Sequence, residues 1–229
     1  MSICIKDQIK NMNLVIGCSI GCPYCYARMN VQRFRTTEDF NEPVFFEQKL
    51  RLLDREKPGV WLLTGMSDLS SWKPEWIQAV FEKLKKNPQH QVIFLTKRPE
   101  LLDIDTDLDN AWFGVTVTRR SELSRLKDIH THVRAKHYHA TFEPLFEDIG
   151  EVNLDELDWI VVGTMTGAMR RTVHTEPAWA NSLTAQAQAK HIPVFMKEDL
   201  IPIMGEDRMI QEFPEAFCRC LGAQKTWMK

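Results

Sequence analysis

The stretch Asn13-Leu-Val-Ile-Gly-Cys18-Ser-Ile-Gly-Cys22-Pro-Tyr-Cys25 decides how the rest of the chain is read. Asn13–Gly17 has the composition of a strand, and it delivers three cysteines spaced CxxxCxxC, with Tyr24 before the last. Three thiolates on one loop give a metal centre three ligands and leave one position open. An ordinary iron–sulfur cluster takes four cysteines. A structural zinc site also closes with four ligands, commonly two pairs set apart in sequence. The missing ligand points to an iron–sulfur cluster with one open iron, and so to a centre that does chemistry. A zinc knuckle completed by a distant His or Cys is the competing reading.

Outward from that loop, short β-rich runs alternate with helical patterns. A helix is expected soon after Tyr26, strands at Val60–Leu63 and Val92–Leu95, and a helix over Pro74–Lys86 with its stripe at Trp76, Ile77, Val80, Phe81 and Leu84. Pro74 suits a first helical turn. A helical stretch is expected after Pro99, a strand at Phe113–Val117, a helix at Ser121–Thr131 and strands at His137–Phe142 and Trp159–Val162. A helix over Pro177–Lys190 and a short strand at Val194–Met196 complete the pattern. Such alternation implies βαβ units and a parallel sheet. A full eight-fold barrel needs about 250 residues, so six or seven units in 229 residues predict an α/β fold built as an open, partial (βα)6-type parallel barrel. Its core is expected over about 10–200 of a single 1–229 domain, with 201–229 as a C-terminal extension.

In such barrels the reactive groups gather at the carboxyl ends of the strands. The predicted strands run into the cysteine loop, Thr64-Gly-Met-Ser-Asp68, Thr96-Lys-Arg98, Thr116 and Thr118, Glu143, Gly163–Gly167 and Lys197-Glu198. Alternation puts His137, His139, Thr141 and Glu143 on one face of the fifth strand, and Gly114, Thr116 and Thr118 on one face of the fourth. A partly polar inner face of this kind suits an open barrel that holds a polar cofactor.

Composition limits the alternatives. Hydrophobic residues make up 44% and charged residues 26%, with net charge −2, so no global charge advertises a nucleic-acid or membrane surface. No apolar run reaches the ~20 residues of a membrane span, and Met1–Asn13 lacks a signal-peptide layout. Six cysteines, three of them clustered, fit a reducing cytoplasm better than a disulfide scaffold.

The CxxxCx-aromatic-C motif directly after a hydrophobic run resembles the signature of radical S-adenosylmethionine (SAM) enzymes. LTKRPE (95–100), WFGVTV (112–117), FEPL (142–145), DWIVVG (158–163) and VFMKEDL (194–200) are similar to a small phage- and mobile-element-associated branch of that family, whose reaction is unassigned. The likeness spans roughly 10–200. It implies a partial barrel in which Cys18, Cys22 and Cys25 hold a 4Fe–4S cluster and SAM chelates the fourth iron, to be cleaved to methionine and a 5′-deoxyadenosyl radical. It also implies a reductant protein of flavodoxin or ferredoxin type.

The family's loop after the second strand contacts the SAM amino group, often through a GGE-like sequence. Here that loop is Thr64-Gly65-Met66-Ser67-Asp68, without GGE, which nominates backbone carbonyls at Gly65 and Met66, or Asp68. The resemblance also nominates Thr116 and Glu143 for the ribose and carboxylate, Lys97 for the carboxylate and Tyr24 for the adenine. Lys197 and Arg170 face the same rim as substrate-side candidates. LTKRPE is also similar to spore photoproduct lyases, which act on DNA, although the balanced charge offers no DNA track.

Plainer readings stand beside these. Lys97 and Glu143 can be a structural ion pair, and Cys4, Cys218 and Cys220 free thiols rather than auxiliary ligands. The histidines at 130, 132, 137 and 139 need not converge. The tryptophans are core or helix-face residues. The chain lacks room for a large cap, so its rim suits a bulky substrate or a partner protein that closes it. A zinc-stabilised binding module and a non-catalytic cluster- and SAM-binding partner protein are the alternative functions.

Overall fold

A computed structural model describes residues 3–55, 57–171 and 173–222. Seven strands form one sheet: β1 (Ile9–Asn11), β2 (Val60–Leu62), β3 (Gln91–Thr96), β4 (Ala111–Thr116), β5 (His137–Phe142), β6 (Trp159–Val162) and β7 (Val194–Met196). Their spatial order equals their sequence order, and every neighbouring pair is parallel. Sequential parallel order with helical crossovers curls a twisted sheet towards a barrel. The expected open α/β half-barrel is therefore the observed one. Helices α1 (Tyr26–Phe34), α2 (Pro74–Lys86), α3 (Ser124–His132), α4 (Pro177–Ala189) and α5 (Glu215–Leu221) are the longer ones.

The first strand differs from expectation. Asn13–Gly17 does not enter the sheet; Val15–Ile16 pairs antiparallel with Val44–Phe45, and Ile9–Asn11 takes the edge beside β2. The apolar run reflects burial, since Leu14 and Val15 lie deep in the core. The true strand has one buried residue in three, too little for a pattern. After Pro99 only a short 3-10 turn forms, Pro99–Leu101.

Alternation divides the side chains into two layers. Phe94, Phe113, Val115, Ala140, Phe142, Ile160 and Val162 face outward into the main core. Val80, Phe81 and Leu84 of α2, Leu126 and Ile129 of α3, and Leu183 and Ala187 of α4 meet them there. Phe94 and Phe113 stack at 5.1 Å between centroids. Each of the larger side chains here, from valine to phenylalanine, contributes roughly 1.5–3 kcal/mol by leaving water. The helix signals act as read: Pro74 opens α2, and Lys83, Lys85 and Lys86 close it against the negative end of the helix dipole.

The inner face is closed from below by the chain's own end. Ile9, Val60, Ile93, Trp112, Trp159 and Phe195 form a second cluster with Phe213, Phe217 and Cys218, the last two from α5. The indole N–H groups are satisfied there: Trp112 donates to Gln91 Oε1 (2.7 Å) and Trp159 to the Glu212 carbonyl (3.1 Å). Gln211, fully buried, accepts from Ile3 N–H (2.8 Å) and donates to the carbonyls of Ile3 and Met196. One amide thus links the start of the chain to the far edge strand. Among the described residues no helix is long and apolar enough to cross a membrane.

Candidate functional site

Beside that floor, on β4 and β5, the interior turns polar. His139 on β5 is buried and its ring lies over Gly114 on β4. A β-carbon at Gly114 would stand 2.3–2.5 Å from the imidazole atoms, so only glycine admits the ring. His139 Nε2 donates to the Phe94 carbonyl (3.1 Å), and Nδ1 is buried without a partner. Burial pushes the imidazole down to about 4, with the nearby Asp158 carboxylate acting the other way. His139 is a neutral residue in a dry interior.

One layer higher, Thr116, Thr141, Val161 and Phe195 lie abreast by register. At the rim, Glu143 and Lys197 form an ion pair that Asp199 extends, its Oδ2 3.3 Å from Lys197 Nζ. Gly163 permits the arrangement, because a β-carbon there would sit 3.1 Å from both Glu143 Cγ and Lys197 Cδ. Burial by itself would lower the Lys197 ammonium. The Glu143 and Asp199 carboxylates outweigh it and hold the group above the usual lysine range. Burial pushes Asp199 up to about 6, against the pull of Lys197. Glu143 therefore pairs with Lys197 and not with Lys97.

The cysteine loop leaves the sheet after β1 and is anchored at both ends. Gly17 N–H donates to the Met66 carbonyl (3.1 Å) and Cys18 N–H to the Phe40 carbonyl (2.6 Å). Gly17, at φ +125°, passes so close to Pro43 that a β-carbon would come within 2.8 Å of its Cα. Cys25 caps α1, accepting from Arg28 N–H at 3.4 Å, and Cys18 Sγ accepts from Ile20 N–H at 3.4 Å. Arg28 lies over the Phe40 ring and reaches the Cys18 carbonyl and Asn41. Cys18, Cys22 and Cys25 are half-buried and free of disulfides. Burial raises the thiols of Cys18 and Cys22; the Ile20 N–H lowers the first and the Lys97 charge lowers the second.

This donor set fits a thiolate-bound metal–sulfur cluster. It offers three unoxidised sulfurs, backbone N–H groups aimed at two of them, a helix N-terminus at the third and a lysine near the second. The four histidines are dispersed. His130 packs on Tyr138, His137 stacks on Trp112 at 4.3 Å, His139 lies inside, and His132 sits at the end of α3. Among the described residues no three His, Cys, Asp or Glu side chains converge on a single-ion site.

The other sequence candidates fall around the same rim. Tyr24 packs edge-on against Phe146 (5.4 Å) beside Thr118 and Glu122. Met66 is buried with Ile16, Ala27, Val31 and Phe40. Asp68 is fully engaged, accepting from Ser70 N–H and Oγ, Thr96 Oγ1 and Lys97 N–H at 2.6–3.0 Å. Thr116 is buried, its carbonyl taken by Arg125. Arg170 is exposed on the turn Gly167–Arg171 that follows β6.

Two asparagines were not singled out by the sequence. The amide oxygens of Asn11 and Asn13 lie 3.0 and 2.9 Å from where a Gly65 β-carbon would sit, and Asn13 Oδ1 is buried with no donor. An orphaned buried acceptor costs on the order of 1–3 kcal/mol. The signal available was the Asn-x-Asn spacing at a strand end, which puts both amides on one side of the chain.

No curated protein matches the sequence. Among solved structures, a variant of spore photoproduct lyase is similar at 10% identity, with TM-score 0.53, over 81% of this chain and 75% of that one. A second variant, with dinucleoside spore photoproduct, aligns at 12% identity, TM-score 0.45, over 76% of this chain and 59% of its own. The first likeness shows the fold, an open parallel barrel. Residues 5–215 match the family described as "Protein of unknown function (DUF5131)", and the chain belongs to that family.

Proposed function

We propose that this chain is a radical SAM enzyme in which Cys18, Cys22 and Cys25 hold a 4Fe–4S cluster and SAM fills the open position at its fourth iron. The observation that carries the reading is that three disulfide-free cysteines lie on the one loop that leaves the first strand of a parallel half-barrel. When bound, cluster and cofactor supply an electron and a 5′-deoxyadenosyl radical that abstracts hydrogen from a substrate.

The protein's own groups do the rest. The Ile20 and Arg28 N–H groups and the start of α1 stabilise negative charge on the sulfurs. Lys97, close to Cys22, suits the cofactor's carboxylate. Tyr24 offers an aromatic wall, while Thr116 and Glu143 serve the ribose side of the rim. Lys197, held cationic between two carboxylates, and Arg170 on its exposed turn are the substrate-side groups. His139, Trp112, Trp159 and α5 close the space below and keep water from entering there. An open half-barrel suits a bulky substrate or a closing partner, and a flavodoxin- or ferredoxin-type protein supplies the electron.

Protein purified without oxygen and reconstituted is expected to contain iron with acid-labile sulfide and to release 5′-deoxyadenosine from SAM and a reductant, while Cys22→Ala does neither. Zinc alone in the wild type would support the binding-module reading instead.

A further inference from the structure

We infer that the outer face of α1 is an interface between two copies of this chain, related by a two-fold axis. Helical spacing puts Tyr26, Met29, Asn30 and Arg33 on one side of α1, away from Ala27 and Val31, which are buried beneath it. Tyr26, Met29 and Phe34 are 53, 47 and 62% exposed. Val44 pairs with Ile16 of the small apolar cluster under this helix and is exposed too. Together they are four of the five large hydrophobic side chains exposed among the described residues. Apolar side chains gathered in one exposed place mark an interaction surface.

The charges around the patch choose the partner. Arg33 and Arg35 stand at the carboxyl end of α1, with Arg33 over the Phe34 ring at 5.2 Å. From there the chain turns back along the helix. Asn41 accepts from Arg28 Nη2 (3.0 Å) and donates to Asp39 Oδ1 (2.9 Å), and Arg28 lies over the Phe40 ring at 4.9 Å. The acidic turn over 38–42 is therefore tied to the amino-terminal half of α1. Arg33, Arg35, Glu38 and Glu42 are exposed and make no ion pair among the described residues. A partner of one sign would match only one end of this surface. A second copy laid antiparallel across α1 matches both: its acidic turn meets Arg33 and Arg35, its arginines meet Glu38 and Glu42, and the apolar side chains meet at the centre. A patch that complements itself in this way makes an isologous two-fold dimer. With a net charge of −2, two copies repel only weakly. The interface flanks the cysteine loop, because Cys25 caps α1, and it is independent of what the cysteines bind.

The test is sedimentation equilibrium of the full chain in a reducing, oxygen-free buffer, where its thiols cannot cross-link. The wild type is expected at twice the mass of one chain at tens of micromolar, and Met29→Asp, at the centre of the patch, as a monomer. The double variant Arg33→Glu, Arg35→Glu and the double variant Glu38→Lys, Glu42→Lys each set like charges opposite one another at both ends. Each alone is expected to dimerise at least about tenfold more weakly than wild type. Mixed in equal amounts, the two are expected to form a heterodimer, because both ends then join opposite signs, and that recovery also shows that both variants are folded. A monomeric wild type, which would leave the face to a different protein, overturns the interface. So does a dimer that survives Met29→Asp, a charge variant that dimerises as tightly as wild type, or a mixture that stays monomeric.

Discussion

The lower and upper halves of the barrel interior come from the same strands and obey different rules. In the apolar part, aromatic rings from β4, β6 and β7 pack against Phe213 and Phe217, and the indole N–H groups of Trp112 and Trp159 have acceptors. The rim holds a half-buried ion triad, three half-buried thiols and an amide oxygen with no donor. The lower half is built to stay closed. The upper half carries unmet polar demand, which a folded protein tolerates where a ligand will meet it.

The sharpest way to break this comparison is to open the floor. Phe217→Ala, at a fully buried site, is expected to cost about 3–5 kcal/mol in denaturant unfolding while leaving iron content per folded molecule unchanged. Loss of iron at unchanged stability would mean that the two halves are not separate.

A smaller effect separates them by pH. His139 is held at about 4 against an ordinary 6.5, so its contribution is full above pH 6.5 and lost as pH falls through 4. Asp199 is held at about 6 against 3.8, so its contribution is full below pH 3.8 and lost as pH rises through 6. Each amounts to about 3 kcal/mol, and between pH 4 and 6 they oppose one another. His139→Gln should therefore become less stable than its own acid value as pH rises across that window. Asp199→Asn should become more stable over the same range. Parallel profiles for the two variants would contradict the assignment.

The sequence made the upper half easier to foresee than the lower. His137–Phe142 alternates strictly, and Pro74–Lys86 carries a helical stripe with a proline start, so both are legible from local pattern. The cysteine spacing is equally local. Ile9–Asn11 was missed because one buried side chain in three residues makes no pattern. The role of α5 was missed because its partners, Trp112 and Trp159, lie more than fifty residues away and nothing local connects them. The partner of Glu143 is hidden in the same way, at Lys197, while the significance of Asn13 lies in a donor that is missing. Local periodicity reveals elements; it does not reveal which strand ends meet across a barrel.

The most direct measurement is single-turnover analysis of the anaerobically reconstituted wild type beside Cys22→Ala, each given SAM and a chemical reductant. The account predicts 5′-deoxyadenosine and methionine in equal amounts from the wild type and none above background from the variant. A wild type that holds iron and acid-labile sulfide yet forms no more 5′-deoxyadenosine than Cys22→Ala would contradict it.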